Sequence, residues 1–109
     1  MDVIFHIDDR AKWPALLNNV QHFCDLIQAR SDDATVEILV NGTEIEETMT
    51  ATDVDLSLLT RTVNIAVCAN SLHQRHYTQA QLQDGLTTVP SGVIELALRQ
   101  HHGFAYIKP

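Results

Sequence analysis

The hydrophobic positions of the chain form short runs that alternate between strand-like and helix-like patterns. Val3–Ile7 is an apolar, largely β-branched run that stops at Asp8, which predicts a buried strand. Pro14 suits the first turn of a helix, because its missing N–H costs nothing there. Apolar residues then recur at helical spacing. This stripe consists of Leu16, Val20, Phe23, Cys24 and Ile27.

The rest of the chain continues the alternation. Similar runs predict strands at 35–40, 63–68, 87–89 and 104–107. Helices are predicted at 70–75, capped by Asn70 and Ser71, and at 93–100, with Ser91 as the N-cap. Between them, Thr78 and Gln81 have the spacing of a capping box.

The stretch 43–60 has the least regular pattern. Its threonines lower helix propensity, and they stand at Thr48, Thr50 and Thr52. We interpret 53–59 as a further turn of helix, because its leucines resume a helical spacing.

Strands that alternate with helices indicate the fold class. Such an order favours an α/β fold with a mostly parallel five-stranded sheet and helices on both faces, a three-layer α/β/α sandwich. A chain of 109 residues is of ordinary domain size, and no linker or repeat divides it. We therefore expect a single domain over residues 1–109.

Charge and composition exclude several classes of partner. The net charge of −7 and the lack of a lysine- and arginine-rich stretch argue against binding to nucleic acid or to an anionic membrane. No run approaches the ~20 apolar residues of a membrane span, and the N-terminus lacks the pattern of a secretory signal. We expect a cytoplasmic location, where the two cysteines are free thiols.

The polar residues of interest follow the strands. In a parallel sheet, ligands bind beyond the carboxyl ends of the strands. Those ends carry polar or flexible residues, namely Asp8, Asp9, Asn41, Gly42, Cys68, Asn70, Ser91 and Gly92. The topology alone is expected to bring them to one edge.

The two cysteines differ in their surroundings. Cys68 ends a strand and precedes a helix, whose first N–H groups favour the thiolate, so we expect an exposed and activated thiol at the sheet rim. The alternative is that Cys68 only packs, since cysteine is among the most buried residue types. Cys24 lies on the apolar stripe and is expected to be buried and inert. With no Cys-x-x-Cys pair, a lone thiol suits sulfur transfer as a persulfide better than dithiol redox chemistry.

Several motifs resemble a known family. VIFHIDD, ILVNG, VNIAVCANSL, VPSGVIEL and GFAYIKP are similar to the DsrE-like family, in the short single-domain branch related to the DsrE/DsrF/DsrH and TusB/TusC/TusD sulfur-relay proteins. The resemblance runs from the first strand to the last residue. It implies a three-layer α/β/α domain that assembles into homotrimers or hexamers.

The resemblance also assigns site residues. It implies that Cys68, at the end of the third strand, accepts and passes on sulfane sulfur, in exchange with donor and acceptor proteins. Asp8, Asn41, Asn70 and Ser91 match positions that the branch keeps near the same edge, where they would line a pocket. The threonine-rich stretch at 48–52 departs from the branch.

Other chemistry finds less support in the sequence. His73 and His76 are three apart and His101 is adjacent to His102, but a zinc site needs about four converging ligands, so we expect no metal. His6 inside a strand is interpreted as a hydrogen-bonded core histidine, and Glu44, Glu46 and Glu47 as a solvated face. The glycines do not form a phosphate loop, and no cofactor is expected.

Two hypotheses follow. The first is a persulfide carrier that acts through Cys68, with sulfurtransferase-like activity. The second is a non-catalytic module, either a small-ligand binder or a structural subunit of an oligomer, in which Cys68 is packing.

Overall fold

The computed structural model describes residues 1–50, 52 and 54–109. Strands and helices alternate along these residues. In chain order they are β1 (Val3–Ile7), α1 (Trp13–Ala29), β2 (Val36–Val40), β3 (Asn64–Cys68), α2 (Ala69–Gln74), β4 (Thr87–Val89), α3 (Gly92–His101) and β5 (Ala105–Ile107). Short 3-10 turns occupy Arg10–Lys12, Gly42–Thr48, Leu59–Arg61 and Gln79–Gln81.

The five strands form one parallel sheet in the order β4-β3-β2-β1-β5. The chain moves from β1 to β4 in one direction and then returns across the sheet to β5. Right-handed crossovers put connections that run in opposite directions on opposite faces. The α/β fold with a five-stranded parallel sheet and helices on both faces is thus confirmed, as a three-layer arrangement.

Each face of the sheet has its own apolar core. The larger core lies on the α1 face, where Phe5, Ile38 and Ile65 pack against Leu16 and Val20. On the opposite face Ile4, Leu39 and Ala66 pack against residues that include Leu96 of α3. The inner strands read as continuous apolar runs in the sequence because both faces are covered.

The stretch 43–60 differs from the prediction. The part of the predicted helix at 53–59 that the structure describes is not helical before Leu59, and Asp53, its first residue, lies outside the described residues. The side chain of Gln83 provides the reason. Its Oε1 accepts from the Leu56 N–H at 3.0 Å, and its Nε2 donates to the Val54 carbonyl at 2.7 Å. Hydrogen bonds from a distant side chain replace those of a helix.

Glu44 and Glu47 also depart from the prediction of a solvated face, since both are buried. The indole N–H of Trp13 donates to Glu44 Oε2 at 2.5 Å. Arg10 Nε lies 2.9 Å from Glu47 Oε1, and the Thr52 hydroxyl donates to Glu47 Oε2. Each carboxylate is buried because a polar partner from another segment satisfies it.

Among the described residues, none of the helices has the length and apolar character that crossing a bilayer requires.

Candidate functional site

The carboxyl ends of the parallel strands meet at one edge of the sheet, and Cys68 lies where this edge divides. β3 continues into α2, whose Leu72 packs in the larger core, whereas β4 continues into α3 on the opposite face. A crevice between neighbouring strands whose connections leave on opposite faces is the usual ligand position in an open α/β sheet. Cys68, the last residue of β3, occupies that position.

The Cys68 thiol contacts the first turns of two helices. Its Sγ accepts a hydrogen bond from the Ser71 N–H in α2, at 3.4 Å, and one from the Gly92 N–H at the start of α3, at 3.3 Å. Cys68 is itself the N-cap of α2, a role that the sequence assigned to Asn70 and Ser71. Backbone amides are thus directed at the sulfur from both faces of the sheet.

These contacts change the acidity of the thiol. Burial alone raises the pKa of Cys68, but hydrogen bonds from Ser71, Gly92 and Asn70 outweigh it and leave the pKa below that of an ordinary thiol. The opposite holds for Cys24, where burial and the charge of Asp25 raise the pKa. Cys68 therefore has the greater tendency to form a thiolate.

The exposure of both cysteines differs from the prediction. Only 5% of Cys68 is exposed, although an exposed thiol was expected, and Cys24 is half-buried rather than buried. The cause at Cys68 is the approach of Gly92 and Ser71, whose N–H groups cover the sulfur. The hydrogen-bond donors around Sγ are helix N–H groups, as expected, but the sulfur is less accessible than expected.

Gly92 allows this close approach because it has no side chain. A Cβ there would lie 3.2 Å from the Cβ and Nδ2 of Asn41 and from Cδ1 of Leu39. Separations of that size require the neighbouring atoms to shift by a few tenths of an ångström. The start of α3 thus bridges Asn41, after β2, and Cys68, at the end of β3.

We expect Gly92→Ala to raise the pKa of Cys68, because moving the start of α3 lengthens the hydrogen bond from residue 92 to Sγ. The pH dependence of thiolate absorbance in a Cys24→Ser background measures this. Val93→Ala is the matched control, since Val93 lies in the same turn but points to solvent. An unchanged pKa in Gly92→Ala would show that this amide does not activate the thiol.

Asn41 belongs to a hydrogen-bonded row that the sequence predicted only in part. Its Oδ1 accepts from His6 Nε2 at 2.9 Å, and His6 Nδ1 in turn accepts from the Tyr106 hydroxyl at 2.7 Å. His6 is buried and hydrogen-bonded, as predicted. Tyr106 was missed, because nothing in the spacing links residues 100 positions apart.

The remaining predicted residues have separate roles. Ser91 Oγ accepts from the Ile94 N–H at 3.5 Å and caps α3, as predicted. Asn70 is exposed and contributes its backbone N–H to the lowered pKa of Cys68. Asp8 pairs with Lys108 Nζ at 2.6 Å, which holds its pKa below the usual value. The structure brings Asn41, Asn70 and Ser91 around the starts of α2 and α3, while Asp8 is joined to the end of the chain.

Ser71 is a site residue that sequence reasoning had assigned only to capping. Its N–H donates to Cys68, and its Oγ accepts from the Gly42 N–H at 3.1 Å, so it ties the ends of β2 and β3 together. Its position three residues after Cys68 is the signal that could have identified it, because an N-cap side chain accepts from that amide.

A cleft of about 300 Å³ is lined by the segments that follow β1, β2 and α2. Arg10, Glu46, Glu47, Tyr77 and Gln81 contribute to its lining, which includes none of the site residues predicted from the sequence. Within the described part of the chain, no group of three or more histidine, cysteine, aspartate or glutamate side chains is arranged to hold a metal ion.

A buried pair of acidic side chains lies between the sheet and α3, and no pattern in the sequence predicted it. Glu37 of β2 and Glu95 of α3 are both buried, and Arg99 Nε lies 2.7 Å from Glu95 Oε1 and 3.4 Å from Glu37 Oε1. Glu37 Oε2 has no hydrogen-bond partner among the described residues. Burial, followed by the contact with Glu95, raises the pKa of Glu37 to about 7 against the opposing charge of Arg99.

Comparison with known proteins supports the fold and adds no activity. The chain is a small parallel α/β domain with a strand-end thiol. No family model matches it, and no curated protein matches its sequence. It is similar to the solved structure of a protein of unknown function, MTH1491 from Methanobacterium thermoautotrophicum, with a TM-score of 0.88 and 28% sequence identity over 99% of this chain and 98% of that chain.

Proposed function

We propose that this protein is a DsrE-like sulfur carrier that holds sulfane sulfur as a persulfide on Cys68. The observation that carries the proposal is the pair of backbone N–H groups, from Ser71 and Gly92, that hydrogen-bond to Sγ. Together with the Ser71 side chain, they lower the pKa of the thiol in spite of burial. A low pKa increases the fraction of the thiol that is present as the nucleophilic thiolate, and it also makes that thiolate a better leaving group. A carrier needs both properties, because it accepts sulfur and then releases it.

The transfer consists of two balanced exchanges. The Cys68 thiolate attacks the outer sulfur of a donor persulfide, a new S–S bond forms, the donor S–S bond breaks, and the donor leaves as a thiolate. An acceptor thiolate then attacks the outer sulfur on Cys68 and regenerates the Cys68 thiolate. No external oxidant or reductant is consumed in either step. The same amides that stabilise the attacking thiolate stabilise it again as the leaving group.

The buried position of Cys68 makes access a part of the mechanism. Since 5% of the residue is exposed and two helix starts cover Sγ, a donor reaches the sulfur only when the first turn of α2 or α3 opens. Short helices and loop ends open locally at low cost compared with global unfolding. The family resemblance also implies donor and acceptor proteins in the cytoplasm and a homotrimeric or hexameric assembly. We include both in the proposal.

Sulfur loading tests the proposal directly. Incubating the Cys24→Ser variant with a persulfide donor is expected to add about 32 Da to the intact mass, one sulfur atom, and a small thiol acceptor is expected to remove it. Because this variant lacks the Cys24 thiol, Cys68 is the remaining cysteine that can carry the adduct. A variant that stays at its unmodified mass under these conditions would exclude the carrier function.

The burial of Cys68 favours a second candidate, a non-catalytic module. In that case the sulfur serves only to cap α2 and to fix the start of α3, and the domain acts as a binding or structural subunit. The two candidates predict different results for Cys68→Ser. The carrier is expected to lose sulfur loading and stay folded, whereas failure to fold would favour the packing role.

A further inference from the structure

One row of side chains on β2 lies under both ends of α3. Glu37, Leu39 and Asn41 point to the same face of the sheet, because side chains alternate along a strand. At one end of the row, Gly92 lies so close to Leu39 and Asn41 that a Cβ would be 3.2 Å from atoms of both. At the other end, Arg99 Nε lies 3.4 Å from Glu37 Oε1. The same strand therefore contacts both the Cys68 end of the helix and the end that holds the ion pairs.

The polar contacts account for much of what holds α3 on the sheet. Val93, Ile94 and Leu98 form an outward apolar stripe and are exposed, and Leu96 is only partly buried against the smaller core. The helix has ten residues and is about 15 Å long, and its backbone hydrogen bonds make it move as a unit. A change at the Glu37 end is thus expected to reach Gly92.

The acid pair, Glu37 and Glu95, shares one guanidinium. The charged groups that act on Glu37 are Glu95 and Arg99, both on α3, and its neighbours in the flanking strands are the uncharged Ile4 and Asn64. With a proton on Glu37 the three ionisable groups sum to zero charge, and without it they carry one negative charge. Glu37 Oε2 is buried and has no hydrogen-bond partner among the described residues, so burial leaves that charge without full solvation.

We propose that the acid pair controls access to Cys68 by positioning α3. While Glu37 holds a proton, α3 lies against β2 and the Gly92 N–H covers Sγ. When the proton is lost, the carboxylate gains hydration only if α3 lifts from β2, and the lifted helix start admits a reactant to the sulfur. Glu37 and Glu95 are positioning residues, since they act on the thiol through α3. The benefit to sulfur transfer rests on the proposed function, but the motion of α3 does not.

The pH dependence of the opening follows from linkage. Burial and the contact with Glu95 raise the pKa of Glu37 from 4.5 to about 7 while α3 is closed. Lifting the helix returns the carboxyl group to water and its pKa towards 4.5. Opening therefore becomes more frequent as the pH rises from about 4.5, by up to about tenfold per pH unit, and levels off above about 7.

Hydrogen exchange at the Gly92 amide, followed by NMR from pH 5.5 to pH 7.5, tests this coupling. Relative to the intrinsic exchange rate, protection of Gly92 is expected to fall by roughly tenfold or more in the wild-type chain. In Glu37→Gln, which does not titrate, it is expected to stay constant. The Ser71 amide is the matched control, because it donates to the same sulfur from α2. The ratio of the two protection factors cancels the effect of Cys68 ionisation, which acts on both amides.

Two exchange results would overturn the coupling. One is a wild-type chain in which the ratio of Gly92 to Ser71 protection does not change with pH, which would mean that Glu37 affects only the whole fold. The other is a Glu37→Gln chain that keeps the wild-type change. The first result needs only the wild-type chain, so the test does not depend on the folding of the variant.

The rate of sulfur loading at pH 7.5 separates this inference from the carrier proposal. In a Cys24→Ser background, Glu37→Gln is expected to reach the same adduct as the parent but at least about tenfold more slowly, because its α3 stays closed. Equal loading rates would overturn the control of access. If neither chain loads, the carrier proposal fails, and the exchange at Gly92 still decides whether the acid pair positions α3.

Discussion

Replacing Cys68 with serine is expected to abolish sulfur loading while the chain remains folded. A serine hydroxyl accepts the same hydrogen bonds from the Ser71 and Gly92 N–H groups, so both helix starts keep their caps. An alcohol does not form a persulfide, so the adduct of about 32 Da is expected to disappear completely. Intact-mass spectrometry measures the loading. The free energy of unfolding, measured in urea, is expected to change by no more than about 1 kcal/mol.

Two further variants sharpen this result. Cys24→Ser is expected to load as well as the wild-type chain, because the pKa of Cys24 is raised rather than lowered. Cys68→Ala removes the acceptor of two buried N–H groups and is expected to cost about 1–3 kcal/mol of stability. Full loading of Cys68→Ser would contradict the carrier proposal, and failure of Cys68→Ser to fold would favour the packing role.

Glu37→Gln is expected to stabilise the protein at pH 8 by up to about 3 kcal/mol, since raising the pKa from 4.5 to about 7 disfavours the charged carboxylate by that order. Between these two pH values the folded chain holds a proton on Glu37 that the unfolded chain has released. The contribution of Glu37 to the free energy of unfolding is therefore most favourable below about pH 4.5 and is lost as the pH rises through about 7. Glutamine resembles the protonated form, and it does not titrate.

The measurement is the free energy of unfolding between pH 4 and pH 8. The gain from Glu37→Gln is expected to vanish towards pH 4 and to be largest at pH 8. Glu95→Gln is expected to behave differently, because it also removes the 2.7 Å ion pair with Arg99. Glu46→Gln, at an exposed position, is the neutral control. A Glu37→Gln variant that keeps the full wild-type pH dependence would show that Glu37 titrates normally.

The strands β1, β2 and β3 could be predicted from the sequence because each is a short, mainly apolar run that ends at a polar or turn residue. β1 begins and ends where the pattern predicts, and Ser91 caps α3 as expected. Both depend on neighbouring residues, and local sequence contains that information. The stretch 54–59 could not be predicted, because its backbone bonds to the side chain of Gln83, more than twenty residues away.

The candidate site was predicted in position but not in environment. Parallel topology is sufficient to bring Cys68 and Asn41 to one edge of the sheet. The burial of the thiol depends on Gly92, 24 residues further along the chain, and the row from Asn41 through His6 ends at Tyr106. Contacts of this kind follow from the three-dimensional arrangement, and no periodicity in the sequence encodes them.

The acid pair under α3 illustrates a further limit. Glu37 interrupts an otherwise apolar strand, and such a residue is ordinarily expected to face solvent. It is buried because Arg99 and Glu95 lie above it on a helix whose polar side is turned inward. The outward apolar stripe of the same helix has the same cause, and both features depend on how α3 is rotated over the sheet.

The pH dependence of Cys68 alkylation tests the activated thiol most directly. In a Cys24→Ser background, the rate of reaction with iodoacetamide is followed from pH 5 to pH 10, so that the midpoint reports the pKa and the plateau reports access. Because amide hydrogen bonds lower the pKa of Cys68, we expect a midpoint below that of free cysteine, about 8.5, with a plateau slowed by burial. A midpoint at or above that of free cysteine would contradict thiolate activation by the two helix starts.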